Sequence, residues 1–191
     1  MRDIQERLAV LVPEARPNRD FHVYISDPET GEEKVRFDDW PGHLHGPAPS
    51  DAAIAAVDLL PRRKAYARAQ VISYADQCGD VLVRDYPPTE RLGFPAKEAS
   101  ARAYQAGTAS SADLALLQAE ADFTGELLDV LVVKILVNAD LLRTAVGQIS
   151  GLRRATIAAL DAATTEDQIA AVIANAKAAA DQALLQLTQA P

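Results

Sequence analysis

The residues best suited to chemistry are two histidines, His43 and His45, separated by Leu44 and flanked by Asp38, Asp39, Gly42 and Gly46. In an extended strand alternate side chains point the same way, so a His-x-His pair presents two imidazoles to one side. Three copies around a threefold axis would surround one metal ion with six nitrogens. The ordinary alternative, two exposed and unliganded histidines in a Pro- and Gly-rich linker, is the favoured reading. The expected complement of metals and cofactors is therefore none, with His43 and His45 the only metal candidates.

Other reactive types form no constellation. The carboxylates Glu32 and Glu33, Asp38 and Asp39, and Glu120 and Asp122 fall on turns or polar helix faces, where solvation is the ordinary explanation. Cys78 has no histidine near it in sequence, and Ser73 and Ser150 sit in no nucleophile motif. The run Gly147-Gln-Ile-Ser-Gly151 lacks the lysine and the strand-to-helix setting of a phosphate loop. The sequence does not read as that of an enzyme.

What the sequence does carry is a pattern for helix association. Leu114, Ala121, Leu128, Ile135, Leu142 and Ile149 recur every seven residues, interleaved with Leu117, Thr124, Leu131, Asn138, Ala145 and Leu152, the a and d spacing of a coiled coil. The expected oligomer interface is Leu117, Leu128, Leu131, Ile135, Asn138, Leu142 and Ile149. A buried Asn138 would cost stability but pair with its symmetry mate and fix register. A monomeric bundle also repeats apolar residues every three or four positions. The surplus apolar residues outside the series, Leu127, Val130, Val132, Val133, Leu136, Val137 and Leu141, favour self-association. A trimer, a higher bundle or a folded-back hairpin in each subunit would cover them.

Composition bounds the partners. Among 191 residues the net charge is −8, which argues against a nucleic-acid surface, and the clusters Arg62-Arg63-Lys64 and Arg153-Arg154 are short enough to serve as salt-bridging residues on helices. A single cysteine excludes an intrachain disulfide and fits folding in a reducing cytoplasm. The first residues, Met1 to Pro13, lack the basic start and apolar core of a secretory signal. No stretch approaches the roughly 18 apolar residues that would span a bilayer; the longest, Leu127 to Val137, is broken by Asp129 and Lys134.

The expected fold is mainly α, long helices forming a coiled coil or helical bundle, with a small N-terminal β-hairpin. Three regions follow from composition. Residues 1–50 hold a short amphipathic segment from Ile4, a hairpin over Phe21 to Phe37 turning at Asp27 to Glu32, and a Pro/Gly linker after Trp40. An isolated hairpin is marginal in water, so it must lie on another element or a partner, and Trp40 is the expected docking residue. Residues 51–110 are short helices: one capped by Ser50, one interrupted or started by Pro61, and one over Pro95 to Ala106 ending at Gly107, for which Thr89 is a further candidate cap. Residues 111–191 are the long heptad helices, opened by Ser110 or Ser111 with Asp113 and divided near Thr164-Thr165-Glu166-Asp167. A hinge is expected near Gly147. The last helix carries Ile169, Ile173, Ala176, Ala180, Ala183 and Leu187, and spacing leaves open whether it folds back or extends a rod.

One resemblance is carried by the run from Tyr86 to Tyr104, YPPTERLGFPAKEASARAY, preceded by RRKAYARA from Arg62. With Phe37-Asp-Asp-Trp-Pro41 and Pro47 to Val57 it resembles helical segments of tailed-bacteriophage tail accessory proteins, of the fibre, baseplate or tail fibre assembly kind, over roughly Phe21 to Gly107. The resemblance implies a structural or accessory virion component, made in the host cytoplasm and located in the tail, with other tail proteins as partners. The alternative is a cytoplasmic tail fibre assembly chaperone. The long helices after Gly107 depart from a compact chaperone.

Overall fold

In the computed structural model, which describes residues 3–188 with the side chains of 184 and 186–188 outside that description, the apolar residues Ile4 and Leu8, four apart, are buried on one face of helix α1 (Ile4–Leu11). That face forms a core with Ala15, Phe21 and Ile54. Strands β1 (His22–Asp27) and β2 (Glu32–Arg36) pair antiparallel with Val23 opposite Val35. Their turn is held by the Asp27 carboxylate, which accepts hydrogen bonds from the Glu29 amide at 2.9 Å and the Thr30 hydroxyl at 2.8 Å. Val23, Val35 and Phe37 pack on the α1 core, and the Ile4 amide donates to Glu33 Oε2 at 2.8 Å. The hairpin thus finds its support inside its own unit. Helix α2 (Gly42–His45) is one turn, and α3 (Asp51–Ala55) is capped by Ser50, whose hydroxyl accepts from the Ala53 amide at 3.2 Å. Arg7 caps the other end of α3, donating to the carbonyls of Ala55 at 2.9 Å and Val57 at 2.6 Å.

The remaining helices are α4 (Leu60–Val83), α5 (Pro88–Gln105), α6 (Ser111–Thr124), α7 (Leu128–Ala162) and α8 (Glu166–Thr188). Helix α5 starts at Pro88, earlier than Thr89 or Pro95, because a proline in the first turn removes only an amide that would lack an intrahelical acceptor. Ser110 and Asp113 form a reciprocal capping box at the start of α6. Ala101, Leu117, Val132 and Leu136 make a core from α5, α6 and α7, with Tyr104, Leu128 and Ile135 packed against it. Thr165 accepts from the Gln168 amide at 3.3 Å to open α8. Helix α8 folds back on α7: Leu160, Ala163 and Ile169 are buried at the turn, and Ile173, Ala176, Ala180 and Ala183 are half-covered residues of α8. The side chain of Leu187 lies outside the described set.

The architecture is mainly α with a small N-terminal hairpin, with eight helices and one two-stranded sheet among the described residues. The chain divides into two compact units, Met1–Ala65 and Tyr66–Pro191, whereas composition divides it near 50 and 110. The first turns of α4 belong with α1 because Arg63 reaches Asp3 at 2.8 Å and Arg62 reaches Glu6 at 3.7 Å. Among the described residues no helix is long and apolar enough to cross a membrane.

The single seam expected from Leu114 to Leu152 is not one helix. Gly125 adopts φ of 69° and ends α6, a left-handed stop that glycine reaches without a Cβ penalty. The interruption comes here, and α7 continues through Gly147, where a hinge was expected. The two glycines therefore have opposite substitution signs. Gly125→Ala is expected to destabilise the protein by about 1 kcal/mol or more, since alanine resists positive φ. Gly147→Ala, whose added methyl meets nothing within 4 Å, is expected to stabilise it by about 1 kcal/mol. Denaturant unfolding of both variants checks the pair.

Candidate functional site

The His-x-His pair does not share a face. In the one-turn helix α2, residues two apart are rotated by about 200°, so the strand geometry assumed for a metal site is absent. His43 is exposed, while the His45 side chain is 6% exposed, its ring against Trp40 with centroids 5.3 Å apart. His45 Nε2 lies 3.5 Å from Asp20 Oδ2 and makes no hydrogen bond. Asp20, itself buried, accepts from Arg19 Nε and from the Arg16 amide, both at 2.8 Å. The Arg19 hydrogen bond first, then the Arg16 amide, hold its carboxyl from 3.8 down to about 2. No group of three or more His, Cys, Asp or Glu is placed to hold a metal among the described residues.

Trp40, the expected docking residue, is occupied within its own unit. Its ring meets Phe37 edge-on at 5.1 Å, it packs on the α1 core, and its indole N–H donates to the Gly46 carbonyl at 2.9 Å. A partner would have to displace these contacts, so the indole pins the linker instead of presenting an anchor. The paired carboxylates are likewise engaged. Glu33 holds the Ile4 amide, Glu120 pairs with Lys97 at 2.7 Å, and Asp122 accepts from Gln118 at 2.7 Å.

The seven expected interface residues are dispersed by the fold. Leu117 and Leu131 are buried within the chain, and Leu128 and Ile135 pack against the α5–α6–α7 core. Leu142 and Ile149 are half-buried, and Asn138 is exposed. They make no continuous free seam, because Gly125 separates Leu117 from the rest and the chain's own helices cover the apolar members. Ile135, Asn138 and Leu142 instead help line a groove of ≈ 630 Å³ with Leu82, Tyr86 and Phe94. Its rim is charged, with Lys97 between Glu90 and Glu120, and Glu98 holding both Arg102 and Arg143 at 2.8 Å.

One apolar surface left open is another face of α7. Val130, Val133, Val137 and Leu141 are 45%, 57%, 51% and 43% exposed, although all are apolar. On a helix advancing 100° per residue they fall within an arc of about 80°. Phe123, near the end of α6, and Leu127, the residue before α7, are more exposed still. Lys134, paired with Glu126, borders the stripe on one side. Asp129 borders it on the other and accepts the Tyr104 hydroxyl at 2.7 Å, a bond that raises the Tyr104 phenol above its ordinary pKa. The sequence signal was present in the surplus apolar residues. Which of them face out depends on α5, because Val132 and Leu136 of the same set are buried against it.

No family model, curated protein or solved structure matches this chain.

The Asp20 cluster generates a pH prediction. A carboxyl held below its unfolded value stabilises the fold above about pH 4, and that contribution is lost as pH falls through about 2. Trp40, the single tryptophan, packs against His45 and reports this unit by fluorescence. Wild type is expected to show an acid transition that steepens toward pH 2, and Asp20→Asn is expected to be less stable at pH 7 and to lack that part of the acid dependence.

Proposed function

We propose that this chain is a structural or accessory protein of a phage tail, a fibre or baseplate component that acts by oligomerisation and by docking to other virion proteins. The observation that supports it most is the apolar stripe Val130, Val133, Val137 and Leu141 on α7. A soluble monomer gains nothing from a helical row of exposed aliphatic side chains beside a completed core, whereas an assembly protein buries such a row on association. The tail setting rests on the resemblance of the segment Tyr86 to Tyr104. In this fold that segment is α5, the helix that sets how α7 is turned.

Mass spectrometry of tailed particles purified from cells producing this chain tests the proposal. The expected result is the chain present in mature particles at a fixed ratio to other tail proteins. Its absence from finished particles, with abundance in the lysate, would overturn the structural role and leave the assembly chaperone.

A further inference from the structure

The geometry points to a second copy of this chain as the occupant of the α7 stripe, paired in parallel about a twofold axis. This inference rests on the assembly reading above and specifies the partner and its orientation. Placing Val130 at heptad position a puts Val137 at the next a and Val133 at d, while Lys134 and Leu141 fall at e, Asp129 at the preceding g, and Asp140, held by Arg102, at the d that ends the apolar run. Valines at a are the β-branched residues that parallel two-stranded coils favour there. The stripe is also narrow, an arc of about 80°, which is the seam of a pair and not the broad face of a larger bundle.

Charge chooses the orientation. In a parallel pair each g residue faces the e residue five positions on in the partner helix, so Asp129 of one copy meets Lys134 of the other, on both sides of the axis. Both side chains are exposed at the border of the stripe. In an antiparallel pair residues of the same flank meet, so Lys134 faces the Lys134 edge of the second copy and Asp129 faces the Asp129 edge, and the opposite charges are not brought together. Within the chain Lys134 pairs with Glu126, and Asp129 accepts from the Tyr104 hydroxyl at 2.7 Å. The register places each copy's Val130 beside its own symmetry mate.

Single cysteines test this in the full chain, with Cys78→Ser removing the native thiol. Circular dichroism spectra and melting curves matching those of wild type establish first that each variant is folded. Under mild oxidation Val130→Cys and Val137→Cys should then each give a covalent dimer on their own. An equimolar mixture of Val133→Cys and Leu141→Cys should give no heterodimer in excess of the two homodimers. Dimer from Val137→Cys alone, with none from Val130→Cys and strong Val133–Leu141 heterodimer, would overturn the parallel arrangement in favour of an antiparallel one. No dimer from any folded variant would overturn the pairing itself, while the presence of the chain in particles would still stand or fall on particle composition.

Discussion

The packing of Ala101, Leu117, Val132 and Leu136 at the junction of α5, α6 and α7 is the contact on which the rest of the second unit depends. Val132 and Leu136, one turn apart, turn that side of α7 inward, and the valines at 130, 133 and 137 are thereby turned outward. Ion pairs lock the same rotation: Arg102 on α5 reaches Asp140 on α7, and Glu98 on α5 holds Arg143 on α7. Burial supplies most of the stability, and the charged contacts, being largely exposed, supply orientation.

A single backbone position makes that junction possible. With Gly125 in the left-handed region, α6 ends after Thr124 and the chain reverses within a few residues, so Leu117 can reach Val132 and Leu136. Had α6 and α7 been continuous, Leu117 would lie far along one rod from Val132 and the apolar residues would need other chains to cover them. The stop converts a sequence that reads as a long coiled-coil strand into a bundle that keeps one apolar side unspent.

Much of the fold was legible in the residues. The hairpin, the Ser50 cap, the Ser110 and Asp113 capping box and the break at Thr164 and Thr165 each rest on local chemistry, and local chemistry is what a sequence displays. The outward apolar stripe of α7 was only half legible. Heptad counting selected Leu128, Leu131 and Ile135, but an intrachain core and a coiled-coil seam have the same spacing, and only the approach of α5 and α6 decides which stripe each claims. The strand geometry behind the His43 and His45 metal candidacy is absent because Gly42 to His45 close one helical turn, and His45 is covered instead of exposed; the Trp40 indole bonding the Gly46 carbonyl is a contact across the linker that spacing does not reveal. Trp40, expected to dock the hairpin, packs within its own unit and bonds the Gly46 carbonyl.

Association of the outward stripe of α7 with a second copy is read by sedimentation equilibrium over a range of protein concentrations. The mass is expected to rise from the 20.5 kDa of one chain toward twice that value. Val133→Glu, which places a charge in the stripe without touching the buried core, is expected to hold the mass at one chain. A wild-type protein that stays at the mass of one chain at every concentration would refute the pairing.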